Sequence, residues 1–318
     1  MTKIPVVFAF SDNFAMPASI AIKSLIDNKN VSTEYDIFVI YDELAEDVKK
    51  KFETITDINW LQIAVEIFDK APSNSYWRKS VYYRLLIPSL IKKYDKVIYS
   101  DVDVLFKSDL SEIFNRDVEN FYWAGVIAEK NDENTQCHKY FVENKNEYIY
   151  MSGFMLVNCK KMREDDFVSK MFDTIEKFAK RLDMFDLEVL NLSTEKISAI
   201  PFEYCTLENI YNEKDIKKAP EYLWLSKVYP EEILLEAKKN PKIIHYAGKN
   251  PKIWKRKTDD IPGYYFEYIK KSPFYENEYY YPTLKMIMKK VMYKILAKLS
   301  FKKEIRHIYK EKLNDFHY

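Results

Sequence analysis

KVIYSDVDVLF, Lys96 to Phe106, sets two aspartates between two apolar runs. Lys96–Ser100 is short, apolar and rich in β-formers, which predicts a buried strand. In extended backbone, residues i and i+2 face the same side, so Asp101 and Asp103 are expected to converge just past that strand. Hard carboxylate oxygens paired in this way suit Mg²⁺ or Mn²⁺ bridging a diphosphate. A plainer reading stands beside it, because aspartate also ends strands and opens turns. The hydrophobic framing on both sides favours the cation, since a surface turn does not require it.

Upstream, Ile4–Phe10, Asp36–Ile40 and Ile63–Phe68 are further candidate strands. Ala18–Asn28, Glu43–Ile55 and Arg78–Leu90 carry helical spacing, the last with Pro88 near its end. Such alternation predicts an α/β fold: a Rossmann-like, mostly parallel sheet with helices on both faces and ligands at the strands' carboxyl ends. Downstream, strands are expected at Trp123–Ala128, Gly153–Asn158, Ile197–Ile200 and Lys242–Tyr246, and helices at Asp165–Leu182 and Leu187–Ser193. A boundary is expected near Tyr275–Pro282, giving a main domain over 1–275 and a tail over 282–318.

The chain has only four glycines, Gly125, Gly153, Gly248 and Gly263, so the glycine-rich loops that cradle phosphates in Rossmann and Walker proteins are absent. A bound nucleotide would need its phosphates neutralised by a cation and by side chains. Three cysteines, widely spaced, fit a reducing compartment and no disulfide framework. The apolar run Ile4–Phe10 is too short for a secretion signal and reads as a strand, and no run of about 18 apolar residues predicts a membrane span. The expectation is a cytoplasmic protein.

A second cluster lies in KIIHYAGKNPKIWK, residues 242–255. His245 follows a short apolar strand, where a lone histidine is often structural, but Gly248 comes three residues later and permits close backbone approach to a ligand. Lys249, Lys252, Lys255 and Arg256 supply cations nearby. A histidine nitrogen joined to two carboxylates would favour Mn²⁺ over Mg²⁺.

VVFAFSDNF (6–14), YYRLLIP (82–88), SGFMLVN (152–158), DLEVLN (186–191), HYAG (245–248) and a closing Trp254 occur in this order around the Asp-Val-Asp. Over roughly residues 4–256 the chain resembles glycosyltransferase family 8, and within it the bacterial lipooligosaccharide and lipopolysaccharide α-galactosyl- and glucosyltransferases. The resemblance implies a GT-A fold, a UDP-sugar donor, Mn²⁺ and retention of anomeric configuration. It implies Asp101, Asp103 and His245 as metal ligands. Ala9, Ser11 and Asn13 would meet uridine, and the backbone of Val102 the ribose. Arg84 would reach the donor sugar or diphosphate, Ser152 and Gly153 would line the donor site, and Asp186 would hydrogen-bond the sugar's hydroxyls. Gly248 with Lys252, or Lys249 in its place, would hold the diphosphate. Three departures stand out. Met151 replaces the usual Asn before Ser-Gly, Leu187 replaces the usual Gln after Asp186, and Gly248-Lys-Asn-Pro-Lys-Ile-Trp254 is one residue longer than the usual ending.

Asp186 also reads as a helix cap before LEVLN. Leu187 offers no nucleophile and Asp186 is the candidate catalytic group in its place; a front-face retaining displacement is favoured over a double one. Residues 282–318 hold ten Lys/Arg against three Asp/Glu, a net +7 in a chain of +1, so the remainder is −6. In Leu284–Leu299, apolar residues recur at helical spacing, with lysines at 285, 289, 290, 294 and 298 between them. This predicts a basic amphipathic helix for an anionic membrane surface on the cytoplasmic side; docking on the protein's own core or on a second copy is the alternative. So short a basic run on an acidic remainder argues against nucleic acid. The expected acceptor is an oligosaccharide or glycolipid. The competing readings are a UDP-sugar-binding protein without turnover and a nucleotidyl or phosphoryl transferase.

Overall fold

The computed structural model describes residues 2–73, 79–248, 251–276, 284–299, 307–309 and 312. The chain divides into two compact units, Met1–Ala247 and Gly248–Tyr318.

The first unit is built on a seven-stranded sheet of order β3-β2-β1-β4-β7-β6-β8. Its strands are β1 (Thr2–Ala9), β2 (Thr33–Tyr41), β3 (Asn59–Gln62), β4 (Lys96–Ser100), β6 (Trp123–Lys130), β7 (Tyr148–Asn158) and β8 (Ile197–Ile200). The β1–β2, β1–β4, β2–β3 and β6–β8 pairs are parallel, whereas β7 is antiparallel to both β4 and β6. The mixed, mostly parallel sheet expected from the sequence is therefore present. Helices Ala15–Asp27 and Glu46–Glu53 provide the β1–β2 and β2–β3 crossovers. Ile4, Val6, Val7 and Phe8 of β1 are all fully buried, the signature of a strand covered on both faces. At about 1.5–3 kcal/mol for each fully buried large aliphatic or aromatic side chain, this central strand alone accounts for several kcal/mol of gross stabilisation.

On one face Val7, Val97, Tyr99, Met155 and Val157 pack with Phe167, Met171 and Ile175 of helix Phe167–Phe178. On the other, Phe8 meets Phe106 edge-on, and Ser24 of helix Ala15–Asp27 accepts a hydrogen bond from the backbone N–H of Phe106. Phe106 belongs to a second, three-stranded sheet of order β5-β10-β9: β5 (Val104–Phe106), β9 (Thr206–Leu207) and β10 (Ile243–His245).

Two elements depart from the sequence reading. The segment Ile63–Phe68 is not a strand; β3 lies just before it, and Val65–Phe68 forms a 3-10 turn. That turn buries Phe68 against Tyr82, Tyr83 and Phe172, whereas Ile67 stays exposed. The expected helix over Arg78–Leu90 is a 3-10 segment, Lys79–Leu86, followed by a single α-turn, Ile87–Leu90. Pro88 has no N–H for the carbonyl of Arg84, so a regular α ladder cannot run through it.

The second unit holds 3-10 turns at Ile253–Lys255 and Thr258–Asp260, helix Gly263–Lys271 and helix Leu284–Leu299. The last spans the residues that the periodicity predicted. Its Ile287, Met288, Val291, Met292, Ile295 and Leu299 are exposed, Ala297 is buried, and no acidic residue lies in it. Residues 277–283 of the expected boundary lie outside the described residues. Among the described residues, no helix is long and apolar enough to cross a membrane.

Candidate active site

β4 and β5 are separated by three residues, Asp101, Val102 and Asp103, and these carry the chain from the large sheet to the small one. Asp101 still hydrogen-bonds as part of the large sheet, its N–H donating to the Gly153 carbonyl beside β4 at 2.8 Å. Asp103 already belongs to the small sheet, its carbonyl accepting from Tyr246 N–H at 2.8 Å. The two carboxylates therefore converge because the chain changes sheets, not by alternation along one strand.

β10 ends at His245, which pairs with Val104 of β5 and so comes alongside the aspartates. His245 Nε2 lies 3.2 Å from Asp103 Oδ1 and 3.8 Å from Asp101 Oδ2. One ligand atom from each of the three residues falls within 4.8 Å of the others. Two carboxylate oxygens and one imidazole nitrogen at that spacing fit a single divalent cation, whose bonds of about 2.0–2.2 Å place its ligands roughly 3–4.5 Å apart. Burial alone would push the His245 imidazole pKa down. The Cys205 sulfur and the Asp103 carboxylate outweigh it and hold that pKa well above the ordinary histidine value.

Gly153 is required here on steric grounds. A Cβ at this position would stand 2.5 Å from His245 Cε1 and 3.0 Å from Asp101 Oδ2. The glycine thus clears space for the histidine and aspartate to approach β7.

Arg84 ties the cation ligands to Asp186. Its Nη2 is 2.8 Å from Asp101 Oδ1, and Nη1 is 3.2 Å from Asp186 Oδ2 and 2.7 Å from the Ser152 carbonyl. Nε donates to the Val81 carbonyl, and the guanidinium lies 4.4 Å from the centre of the Tyr99 ring. Burial opposes its charge, but Asp101 and Asp186 outweigh that and keep it cationic. The side chain expected at the donor's phosphate or sugar is thus engaged with protein acceptors, positioning two carboxylates at once. Asp101 Oδ1 also accepts from Tyr99 OH at 2.8 Å, which leaves Oδ2 turned toward His245.

Asp186 opens helix Asp186–Ser193, and its carboxylate points into the site, where Oδ2 accepts from Ser152 Oγ at 2.8 Å. Burial raises its pKa to about 6, with Asp101 adding to the rise and Arg84 and Ser152 pulling against it. The preceding Phe185 sits at φ 46°, ψ −102°, a conformation that non-glycine residues rarely adopt. Glu188 braces this turn: its Oε2 accepts from the N–H groups of Asp183 (2.7 Å) and Met184 (3.1 Å), and burial raises its carboxyl to about 7.

Ala9 and Ser11 are half-buried at the carboxyl end of β1, Asn13 is exposed in the 3-10 turn after it, and Val102 is buried between the aspartates. Gly248 has φ 105°, in the left-handed region that favours glycine. Lys252 belongs to the second unit, its ammonium over the Trp254 ring at 5.9 Å. Lys249 lies outside the described residues. Three contributors escaped the sequence reading: Tyr99, Cys205 and Glu188. Tyr99 was within reach of it, since i−2 alternation sets it beside Asp101. Cys205, which lies 3.2 Å from His245 Nδ1, meets the site only through tertiary contact.

Comparison with known proteins identifies the family. The sequence profile described as glycosyl transferase family 8 matches residues 5–258. The chain is 26% identical over 278 residues to General stress protein A of Bacillus subtilis, covering 83% of this chain and 92% of that one. It is 25% identical over 228 residues to a lipopolysaccharide 1,2-glucosyltransferase of Escherichia coli, covering 68% and 66% respectively. The crystal structure of the galactosyltransferase LgtC in complex with donor and acceptor sugar analogs superposes with a TM-score of 0.66 at 20% identity, over 87% of this chain and 99% of that one. That likeness shows a shared fold, the GT-A architecture that the sequence resemblance implied.

Proposed function

The chain belongs to glycosyltransferase family 8, and on that premise we propose that it is a retaining hexosyltransferase. It moves galactose or glucose from a UDP-sugar to a glycan acceptor such as a lipopolysaccharide core, with Mn²⁺ as cofactor and Mg²⁺ as the second choice. The observation that carries this reading is the convergence of Asp101, Asp103 and His245 beside the Arg84–Asp186 pair. The names of the relatives, which include lipopolysaccharide 1,2-glucosyl- and 1,3-galactosyltransferases, support the sugar and acceptor classes.

A cation held by Asp101, Asp103 and His245 would offset the negative charge that develops on the departing diphosphate. The protein's own groups do the rest. Ala9, Ser11 and Asn13 meet the uridine, and the Val102 backbone meets the ribose. Arg84 holds Asp101 and Asp186 in register, Ser152 and Gly153 shape the wall beneath the sugar, and ionised Asp186 accepts from the donor's hydroxyls. Gly248 and a lysine, Lys252 or Lys249, are assigned to the diphosphate. The transition state has oxocarbenium character, and with Leu187 where a polar group is usual, attack from the leaving-group face is the favoured course. Residues 1–275 are assigned to transfer and 282–318 to attachment, with the exposed apolar stripe and lysines of Leu284–Leu299 resting on an anionic membrane surface.

The test is UDP release in Mn²⁺ from UDP-galactose and UDP-glucose, with and without a core-oligosaccharide acceptor. Hydrolysis or transfer of one donor, lost in Asp103→Ala, is the expected result, and a β-linked product would overturn retention. A second reading, a UDP-sugar-binding protein without turnover, draws on Met151 and Leu187 alone. It predicts UDP binding with no release from any donor.

A further inference from the structure

His245 has two ring nitrogens, and only one faces the carboxylates. The other, Nδ1, is 3.2 Å from Cys205 Sγ, and that sulfur lies 3.5 Å from the thioether of Met151. All three side chains are buried: His245 is 7% exposed, Cys205 1% and Met151 9%. They come from β10, from the 3-10 turn Phe202–Cys205 before β9, and from β7 beside Ser152, so only the packing of both sheets brings them into line.

One of the two possible proton arrangements along this row suits cation binding. A thioether carries no proton, so between the two sulfurs only the Cys205 thiol can donate. With its S–H directed at Met151, the Cys205 sulfur can only accept from His245. Nδ1 must then carry a proton, and neutral His245 presents the lone pair of Nε2 to the space bounded by Asp101 Oδ2 and Asp103 Oδ1. Were the thiol to donate to Nδ1 instead, a neutral ring would carry its proton on Nε2, pointed where the cation should sit.

We propose that Cys205 and Met151 form a positioning relay, Nδ1–H to Sγ–H to Sδ, that fixes His245 in the tautomer able to bind a divalent cation through Nε2. The proposal rests on the reading of Asp101, Asp103 and His245 as a cation site. It gives Met151 a task that the sugar pocket does not: the thioether can only accept from the thiol, whereas an asparagine at this position could also donate to the sulfur. Groups behind a metal-bound histidine commonly set its tautomer in this way, and their loss weakens metal binding by about 10- to 100-fold.

The experiment measures Mn²⁺ binding to the full chain without donor, from the loss of the free-ion electron paramagnetic resonance signal. It is done for the wild type, Cys205→Ala, Cys205→Ser and Met151→Leu, with melting temperatures in EDTA to confirm folding. The relay predicts a dissociation constant raised at least about tenfold in Cys205→Ala, a smaller rise in Met151→Leu, and recovery toward wild type in Cys205→Ser, whose hydroxyl both accepts and donates. Wild type that binds Mn²⁺ while folded Cys205→Ala binds it equally well overturns the relay and leaves the cation site standing. Wild type that binds no Mn²⁺ overturns the cation site and the relay with it. A readout free of variants is the ¹⁵N spectrum of histidine-labelled protein in EDTA, at a pH high enough to leave the ring neutral. His245 protonated at Nδ1 and not at Nε2 supports the relay, and the reverse refutes it.

Discussion

Replacing Arg84 by methionine should expose how much the carboxylates of the site depend on one buried cation. The Arg84 and Asp186 side chains are 7% and 9% exposed. Methionine fills much of the arginine stem but removes both ion pairs, leaving Asp186 Oδ2 with the Ser152 hydroxyl. Removing one partner of a buried ion pair costs about 3–5 kcal/mol. With an unfolding entropy of about 2.1 cal/mol/K per residue, a unit spanning Met1–Ala247 loses about 0.5 kcal/mol per degree, so its melting temperature should fall by about 6–10 °C at pH 8. The pH dependence follows from the sign of the shift. Burial already raises Asp186 to about 6, and losing the neighbouring cation raises it further. Protonation at low pH then discharges the orphaned carboxylate, so the deficit should shrink between pH 8 and pH 5. Scanning calorimetry in EDTA reads both effects, and the double variant Arg84→Met/Asp186→Asn should recover part of the loss. A variant that melts within about 2 °C of wild type at pH 8, or whose deficit is the same at pH 5, would refute this account.

Gly153→Ala should cost at least about tenfold in Mn²⁺ affinity while the protein still folds, because the new methyl meets His245 Cε1 at 2.5 Å; titration calorimetry checks it, and unchanged affinity would show that the histidine can retreat. Mn²⁺ binding should weaken as pH falls from 8 to 6, because His245 is held above its ordinary pKa and the cation must displace a proton from Nε2. A flat profile over that range would place the ligand elsewhere. A chain ending at residue 281 should lose sedimentation with anionic vesicles, since each lysine near such a surface contributes about 1 kcal/mol; retention equal to the full chain would remove the tail from membrane attachment.

The large sheet could be read from the sequence because β1, β2 and β4 are apolar runs long enough to show themselves, and the DVD motif sits at the end of one of them. Of the small sheet only β10 could, inside the expected strand Lys242–Tyr246; β5 and β9 are three and two residues long, below the length at which periodicity is visible. Yet it is this sheet that carries His245 to Asp103, so the linear pattern names Asp101, Asp103 and His245 as candidate ligands without the reason they meet. The motif singles out Arg84 as a candidate for the donor, but its engagement with Asp101, Asp186 and Ser152 depends on side-chain geometry that no linear pattern encodes. Ile63–Phe68 is an apolar run of strand length, and only the aromatic contacts of Phe68 show why it turns instead. Glu188 carries no signal in the sequence, because the turn at Asp183 and Met184 that it braces exists only in three dimensions.

The step from β4 to β5 has a mechanical consequence. Asp101 is tied to the large sheet, and Asp103 and His245 to the small one, so an ion shared by all three would act as a rivet across the seam between two separately hydrogen-bonded layers. Ligation of this kind stabilises by mass action, about 2.7 kcal/mol when the free ion is a hundredfold above its dissociation constant. The gain should be concentrated at that seam, where amide hydrogens of Val104–Phe106 and Ile243–His245 would exchange more slowly with the ion bound. Without the ion, the protein would then be loosened along that one line.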